Sequence, residues 1–435
     1  MAFAQKAVAI VFFGAVAEGF RVKPKKKQDK QVTNENPSVD QQTMLSVNTQ
    51  AALEMGRSLP KEDFAVSNNA ECRLSQSDCN IGGMSGPTVV YTDDSNSRCL
   101  NGDGFAFLVK PGRTDKLLFF FPGGGACWKG SLSNAELCVQ DLSGGLGAAG
   151  LGSGVTDSRA DNGFADYTFV APAYCDGGAF VSNSTLGGKP QNGFVNTNYA
   201  VEWAKRNLNQ NLANFAIAGS SAGALGTMAW SHYLLSNFQY DKAAVIVDSY
   251  MGVFPSGTQG PTIKNFGACN LPMFADFKDD CDAERVTIQD VFDFAIEQHP
   301  SAAFSFIQPK EDLVQRAFYA AIALSFGRIS LLGGNGLYEA SNGDKARYDR
   351  HPNFVHYVVD GSGHTFMASG SWYSTNTGDS SKPSMANWAN GLIEHQPTSS
   401  ECNGPLQRNG GNNWLFKNTR YCFQELFPKS LSVSR

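Results

Sequence analysis

The chain has 435 residues, of which 42% are hydrophobic and only 17% are charged, so it can bury a large core in one elaborated domain or in two. Its formal net charge of -5 gives none of the basic excess on which nucleic-acid binders depend, so we expect no nucleic-acid partner. Beyond the amino terminus no segment reaches about 18 uninterrupted apolar residues, and the sequence predicts no transmembrane span.

The first residues have the pattern of a secretory signal peptide. Lys6 precedes an apolar stretch from Ala7 to Ala17, which ends in the small residues that a signal peptidase accepts. An apolar start to a buried helix is the alternative, but Pro24 and a run of lysines follow too soon for a long helix. We therefore predict a signal peptide over residues 1–17 and a protein that is secreted, extracellular or in the cell wall.

Residues 18–71 are polar, irregular and poor in aromatic side chains, so we interpret them as a flexible leader. The catalytic domain is expected to occupy residues 72–435 and to act as a monomer. A glycine-rich stretch, Gly144–Gly154, is interpreted as a surface loop near the substrate.

Within this domain, short apolar runs bounded by turn residues alternate with helical patterns. Six runs are apolar enough to be strands buried on both faces: Lys116–Phe121, Tyr167–Pro172, Phe215–Ala218, Ala243–Val247, Ala303–Ile307 and Phe354–Val359. Helical periodicity is found in Ala222–Leu235, Ile288–Glu297 and Leu313–Ser325. This alternation predicts a mostly parallel sheet covered by helices on both faces.

The chain contains ten cysteines, an even number that favours disulfides in an exported protein. None of them forms a C-x-x-C pair, which argues against a structural zinc site. Cys269/Cys281 and Cys402/Cys422 are close enough in sequence to be local bridges, although spacing does not fix the pairing. The sequon at Asn183 would be glycosylated in a eukaryotic secretory pathway.

A serine in a glycine turn is the strongest chemical signal. Gly219-Ser220-Ser221-Ala222-Gly223 directly follows the predicted strand Phe215–Ala218 and directly precedes the predicted helix Ala222–Leu235. This strand–turn–helix setting is typical of the nucleophile elbow of α/β-hydrolases, in which a strained turn exposes the serine hydroxyl. A glycine turn that merely starts a helix is the alternative interpretation.

An acyl-transfer serine needs hydrogen-bond donors for the developing oxyanion, often from a glycine-rich loop after an earlier strand. The segment Phe121-Pro122-Gly123-Gly124-Gly125-Ala126-Cys127-Trp128 has this character, and it lacks the lysine pattern of a phosphate-binding loop. We expect the backbone N–H groups of Gly124, Gly125 and Ala222 to form the oxyanion hole.

In this fold the acid and then the histidine follow the serine along the chain. Among the six histidines, His364 lies in a glycine loop just past the last predicted strand, where it can reach Ser221 as general base. Asp312 precedes the helix Leu313–Ser325 after the penultimate strand, and it is the expected acid. Asp248, at the end of the strand that follows the elbow helix, is the alternative.

Together these motifs resemble the pectin acetylesterase family, whose animal relatives are the Notum carboxylesterases. The similarity covers roughly residues 72–427 and rests on the glycine loop, the Tyr174-Cys175-Asp176-Gly177 segment, the serine turn and Gly363-His364-Thr365. It implies an α/β-hydrolase fold, no metal or other cofactor, a triad of Ser221, Asp312 and His364, and an oxyanion hole at Gly124, Gly125 and Ala222.

The resemblance also implies a serine carboxylesterase that removes acetyl groups from a cell-wall polysaccharide such as pectin. Two alternatives stay open: a deacylase of a lipid-modified protein, as the Notum branch would imply, and a non-catalytic secreted binding protein on a hydrolase scaffold.

Overall fold

A computed structural model describes residues 69–130 and 137–403 of the chain. The predicted signal peptide and all but the last residues of the predicted leader lie outside this range. Cys422 lies outside it too, so its bridge to Cys402 stays a prediction. The first strand begins at Ala70, slightly before the expected start of the fold at Cys72.

In the described residues, nine of the eleven strands form one sheet, in the order β1-β2-β3-β5-β4-β8-β9-β10-β11, and β6 and β7 form a separate pair. The strands are β1 (Ala70–Arg73), β2 (Thr88–Tyr91), β3 (Ala106–Lys110), β4 (Arg113–Phe121), β5 (Tyr167–Pro172), β6 (Ser184–Leu186), β7 (Lys189–Gln191), β8 (Asn211–Ser220), β9 (Gln239–Asp248), β10 (Ala302–Pro309) and β11 (Phe354–Val359).

Within the nine-stranded sheet, β3 alone runs antiparallel to both of its neighbours, and every other neighbouring pair is parallel. All residues of β5, β10 and β11 are buried, as expected for parallel strands covered on both faces. The predicted mostly parallel sheet is therefore confirmed.

The α-helices of the described residues are α1 (Leu142–Gly147), α2 (Gly193–Asn207), α3 (Ala222–Asn237), α4 (Gln259–Asn265), α5 (Lys278–Asp282), α6 (Ile288–Gln298), α7 (Leu313–Ser325), α8 (Gly334–Tyr348), α9 (Ser371–Ser374) and α10 (Met385–Ile393). None of the helices in the described residues is long and apolar enough to cross a membrane.

Two neighbouring residues of β8 show that helices cover both faces of the sheet. Asn214 donates a side-chain hydrogen bond to the carbonyl of Ile393 at the end of α10. The ring of Phe215 packs against Phe238 at the end of α3, with ring centroids 5.0 Å apart. Because successive side chains of a strand point to opposite faces, α3 and α10 lie on opposite sides of the sheet.

The predicted strands and helices all correspond to observed elements. Tyr167–Pro172 and Phe354–Val359 are the bounds of β5 and β11, and Leu313–Ser325 are those of α7. The strand predicted from Lys116 begins earlier, at Arg113. Its first residues are polar and partly exposed, so the apolar pattern did not reveal them.

The interpretation of Gly144–Gly154 as a surface loop is wrong. The segment overlaps α1 at its start and a short 3-10 helix at its end, and Gly145 and Leu146 are buried. A Cβ on Gly145 would lie 2.7 Å from the carbonyl oxygen of Tyr174. The glycines therefore allow close backbone packing rather than a mobile turn.

Candidate active site

Ser221 lies between the last residue of β8 and the first residue of α3. Its φ of 56° is in the left-handed region, which costs a non-glycine residue roughly 1–3 kcal/mol. A Cβ on Gly219 would lie 2.4 Å from the carbonyl oxygen of Gly223, so the strand and the helix approach too closely for larger residues. The sequence thus forms a tight elbow that presents the serine.

The predicted nucleophile, base and two candidate acids lie at or just after the carboxyl ends of β8, β9, β10 and β11, at the same edge of the sheet. Ser221 follows β8, Asp248 ends β9, Asp312 follows β10 and His364 follows β11. These strands are adjacent and parallel, so the segments that leave them meet above one edge. Ligand sites in open parallel sheets form at this edge.

Ser221, His364 and Asp312 form a continuous hydrogen-bonded chain. Nε2 of His364 lies 2.9 Å from Oγ of Ser221, although the two residues are 143 positions apart in sequence. Nδ1 of His364 lies 2.8 Å from Oδ2 of Asp312. Because an ionised carboxylate can only accept, Nδ1 carries the proton and Nε2 is free to accept the proton of the serine hydroxyl.

Asp312 is held rigidly at the start of α7. Its side chain is fully buried, and it caps the helix by accepting a hydrogen bond from the backbone N–H of Gln315 at 2.9 Å. The Gln315 side-chain amide donates a second bond to Oδ2, at 2.8 Å. The carboxylate that faces His364 is therefore fixed by the helix as well as by the histidine.

The environment of His364 sets its basicity. Burial lowers the pKa of the imidazole, whereas the charge of Asp312, its hydrogen bond and the more distant charge of Asp248 raise that pKa. The net result is a pKa above the ordinary value of a histidine. This direction favours proton uptake by His364 from a neighbouring hydroxyl.

Asp248, the alternative acid, makes its hydrogen bonds elsewhere. Its carboxylate accepts from the hydroxyls of Ser220 and Ser249 and from the backbone N–H groups of Phe366 and Met367. Burial raises its pKa, and these four donors counteract the increase. The structure thus pairs His364 with Asp312 rather than with Asp248.

The other histidines are engaged away from Ser221. His232 and His299 contact each other, His351 and His356 pair with aspartates, and His395 contacts the carbonyl of Ala243. In the parts of the chain that the structure describes, no group of three or more His, Cys, Asp or Glu residues could hold a metal ion.

The glycine loop after β4 lies directly beside the elbow. A Cβ on Gly123 would lie 3.1 Å from the Cβ of Ser221. The carbonyl of Gly124 accepts from the N–H of Val139 at 2.8 Å, and the carbonyl of Gly125 accepts from the Tyr174 hydroxyl at 2.5 Å. Since a trans peptide directs its N–H opposite to its C=O, these bonds fix the direction of the loop amides.

Of the three predicted oxyanion donors, two line a cavity with Ser221 and His364 and one does not. Gly125 and Ala222 line the same cavity as Ser221 and His364. Ala222 is the first residue of α3, so its N–H has no acceptor within the helix. Gly124, with a φ of 152°, packs against the ring of Tyr174 and is not among the residues that line this cavity.

Beside Ser221 is an apolar cavity of about 40 Å³. Its walls come mainly from the segment 250–266 and from α7, and the elbow and the glycine loop close its other side. The lining residues are Gly125, Ala126, Trp128, Ala179, Ser221, Ala222, Leu225, Tyr250, Phe254, Thr262, Phe266, Val314, Phe318, Ile322 and His364.

Sequence reasoning did not identify most of these wall residues. Val314, Phe318 and Ile322 recur at every fourth position of α7, which places them on one face of that helix. That spacing was the only available signal. Tyr250, Phe254 and Phe266 lie in irregular or short elements, where no periodicity marks them.

Four disulfides are present in the described residues: Cys72–Cys79, Cys99–Cys175, Cys127–Cys138 and Cys269–Cys281. The predicted local bridge between Cys269 and Cys281 is therefore confirmed. Cys127–Cys138 follows the glycine loop directly, and the antiparallel contact of Gly125 with Cys138 joins the same two segments. The loop beside Ser221 is thus cross-linked as well as hydrogen-bonded.

No protein-family model matches this sequence, and no curated protein matches it. Among solved structures, the chain is similar to the Wnt deacylase Notum from Drosophila, with 13% sequence identity and a TM-score of 0.49. The alignment covers 71% of this chain and 93% of that one. The assignment of an α/β-hydrolase architecture rests on the strand order and the elbow, not on this distant similarity.

Proposed function

We propose that the protein is a serine hydrolase that cleaves carboxylic esters through an acyl-enzyme on Ser221. The observation that carries this proposal is the unbroken chain of hydrogen bonds from Ser221 through His364 to Asp312, with distances of 2.9 and 2.8 Å. A nucleophile, a base and an orienting acid in this arrangement are the requirements of acyl transfer.

In the first step, Oγ of Ser221 attacks the carbonyl carbon of the ester and its proton passes to Nε2 of His364. The tetrahedral oxyanion accepts hydrogen bonds from the N–H groups of Gly125 and Ala222, and Gly124 supports the loop that carries the first of them. As the ester C–O bond breaks, His364 returns the proton to the leaving alcohol. Water then attacks the acyl-serine with His364 as base, which releases the acid and restores Ser221.

The proposed substrate is an acetylated polysaccharide of the cell wall, such as pectin. A cavity of about 40 Å³ has room for a short acyl group. The motif resemblance to the pectin acetylesterase family supports the same substrate class.

A longer acyl group, such as that of a lipid-modified protein, is the second candidate. The observation that favours it is the apolar character of the cavity walls, where Phe254, Phe318 and Ile322 would cover a hydrocarbon chain. Each methylene group buried there would contribute about 0.8 kcal/mol to binding.

We further propose that the protein is exported. The four disulfides of the described residues support an oxidising compartment, where such bridges form and persist. The predicted sequon residue Asn183 is exposed just before β6, so an oligosaccharide transferase would find its side chain accessible.

A fluorophosphonate probe tests the nucleophile, with the Ser221→Ala variant as control. We expect one adduct on Ser221 in the wild-type protein, none at this position in the variant, and a fall in kcat of about a millionfold. Absence of an adduct on the folded wild-type protein would instead favour the non-catalytic binding protein.

A series of p-nitrophenyl esters separates the two substrate classes. We expect kcat/KM to be highest for the acetate or butyrate and to fall for the octanoate. A strong preference for octanoate would contradict polysaccharide deacetylation and support the lipid-directed alternative.

A further inference from the structure

Asp248 is a fully buried carboxylate at the end of β9 that the proposed reaction does not use. Its Oδ2 atom accepts hydrogen bonds from the Ser220 hydroxyl at 2.9 Å, the Phe366 N–H at 2.7 Å and the Met367 N–H at 2.9 Å. Its Oδ1 atom accepts from the Ser249 hydroxyl at 2.6 Å. Four donors on one buried carboxylate make a dense polar cluster.

Three of these four donors belong to the two segments that carry the reacting side chains, and the fourth, Ser249, directly follows Asp248. Ser220 immediately precedes Ser221, and Phe366 lies just after His364 in the loop beyond β11. Two further bonds reinforce the connection. The Ser221 N–H donates to the backbone carbonyl of Asp248 at 2.9 Å, and the Thr365 N–H donates to the Ser249 hydroxyl at 2.9 Å.

The backbone around this carboxylate is strained at three places. Ser221, Ser249 and Thr365 have φ angles of 56°, 63° and 59°, and none of them is a glycine. Such conformations persist only where the surroundings hold them. The hydrogen bonds to Asp248 and Ser249 supply restraint at each of these positions.

We propose that Asp248 is a positioning residue that fastens the nucleophile elbow to the histidine loop and so sets the distance between Ser221 and His364. The role rests on the proposed function, because it presupposes that Ser221 attacks and His364 accepts its proton. The two carboxylates then have separate tasks: Asp312 orients the imidazole ring, whereas Asp248 holds the two backbones that present the reacting atoms.

An asparagine at this position separates geometry from charge. The amide oxygen of Asp248→Asn can accept the three bonds now made to Oδ2. Its NH₂ group can donate to the Ser249 hydroxyl, whose second lone pair still accepts the Thr365 N–H. Alanine removes all four acceptor interactions and leaves the donors of both segments without partners.

The test compares Asp248→Ala and Asp248→Asn with the wild-type protein and with Asp293→Ala. Asp293 is also buried and accepts from Arg347, Arg350 and His351, but it lies on α6 and does not line the cavity. kcat and KM are measured on p-nitrophenyl acetate, and the thermal midpoint is measured for each variant.

We expect Asp248→Ala to lower kcat about 100-fold with little change in KM, since a misplacement of about 1 Å at reacting atoms has this effect. Asp248→Asn should have a kcat at least about tenfold higher than that of Asp248→Ala. Asp293→Ala should lower the thermal midpoint yet keep kcat close to the wild-type value.

Two results would overturn the proposal: a kcat within about twofold of wild type for Asp248→Ala, or an equal loss of kcat in Asp293→Ala at a matched thermal midpoint. If Asp248→Ala does not fold, Ser220→Ala removes only the elbow's side-chain bond. It should then lower kcat several-fold, by up to about tenfold, and an unchanged kcat would contradict the role. A wild-type protein that neither labels at Ser221 nor cleaves esters would refute the proposed function itself.

Discussion

Two regions meet at Ser221, and they are built in different ways. The polar region of His364, Asp312 and Asp248 is carried by the ends of adjacent parallel strands, so the sheet fixes its geometry. The apolar cavity wall comes from α7 and the segment 250–266, which lie outside the sheet. Under the proposed function, the type of reaction depends on the sheet, whereas acyl selectivity depends on segments that can vary independently.

After loss of the serine, the largest expected loss of kcat comes from substitution of Asp312 in the polar region. Asp312→Asn keeps the shape of the side chain, but its amide can present an N–H to Nδ1 and favour the wrong imidazole tautomer. We expect kcat to fall by about 10⁴-fold with a small change in KM. A fall of less than about tenfold, measured on p-nitrophenyl acetate, would contradict the role of Asp312.

A smaller loss is expected where the polar region meets the glycine loop. A Cβ on Gly124 would lie 2.3 Å from Cδ1 of Tyr174, so Gly124→Ala must displace the loop that carries the Gly125 N–H. Loss of one oxyanion donor lowers kcat by about 10²–10³-fold, and we expect a fall of this size. Gly343→Ala is the control, because no heavy atom lies within 4 Å of the added Cβ and this residue of α8 does not line the cavity.

Changes in the cavity wall should alter selectivity and leave the chemistry intact. Val314 is half-buried and lines the cavity, so Val314→Trp can narrow it without disturbing the sheet. We expect kcat/KM for butyrate relative to acetate to fall by about tenfold or more, with kcat for acetate nearly unchanged. Val314→Ala is the matched control and should shift the ratio towards the longer ester. Equal losses for both esters in the tryptophan variant would show that the two regions are not separable.

The pH dependence gives the finest distinction between the regions. Because His364 acts as a base when neutral, and because its pKa lies above the ordinary value of about 6.5, kcat/KM should rise with pH through a midpoint above that value. Asp312→Asn removes the charge that raises this pKa, so the midpoint should move to lower pH. Val314→Trp should leave it in place. A midpoint that is insensitive to Asp312→Asn would argue against a charged pair.

The sequence was informative about the polar region because strand ends are recognisable. The strands before Ser221, Asp312 and His364 are apolar runs buried on both faces, and each of these three residues lies shortly after the end of its strand. The sequence favoured Asp312 but left Asp248 as an alternative, since Asp312 follows such a strand and Asp248 ends one. It depends on how the loops turn above the sheet, including the left-handed backbone of Ser249.

The cavity wall was largely unpredictable for a different reason. Its residues come from segments distant in sequence, and apolar side chains in a chain of this composition mark a core as readily as a pocket. Gly145 illustrates the same limit: a glycine-rich stretch predicts a loop, but here the small residues serve close packing against Tyr174. Local patterns do not reveal which neighbours a segment will contact.

Ser221 and His364 are 143 positions apart in sequence, and this distance has a consequence for folding. Nascent or truncated chains that end between residues 221 and 364 contain the nucleophile but not His364, so they cannot hydrolyse esters by this route. Esterase activity becomes possible only after β11 has paired with β10, a non-local pairing that forms late in many folding reactions. Regain of esterase activity after dilution from denaturant would therefore time the completion of the sheet, independently of when the helices form.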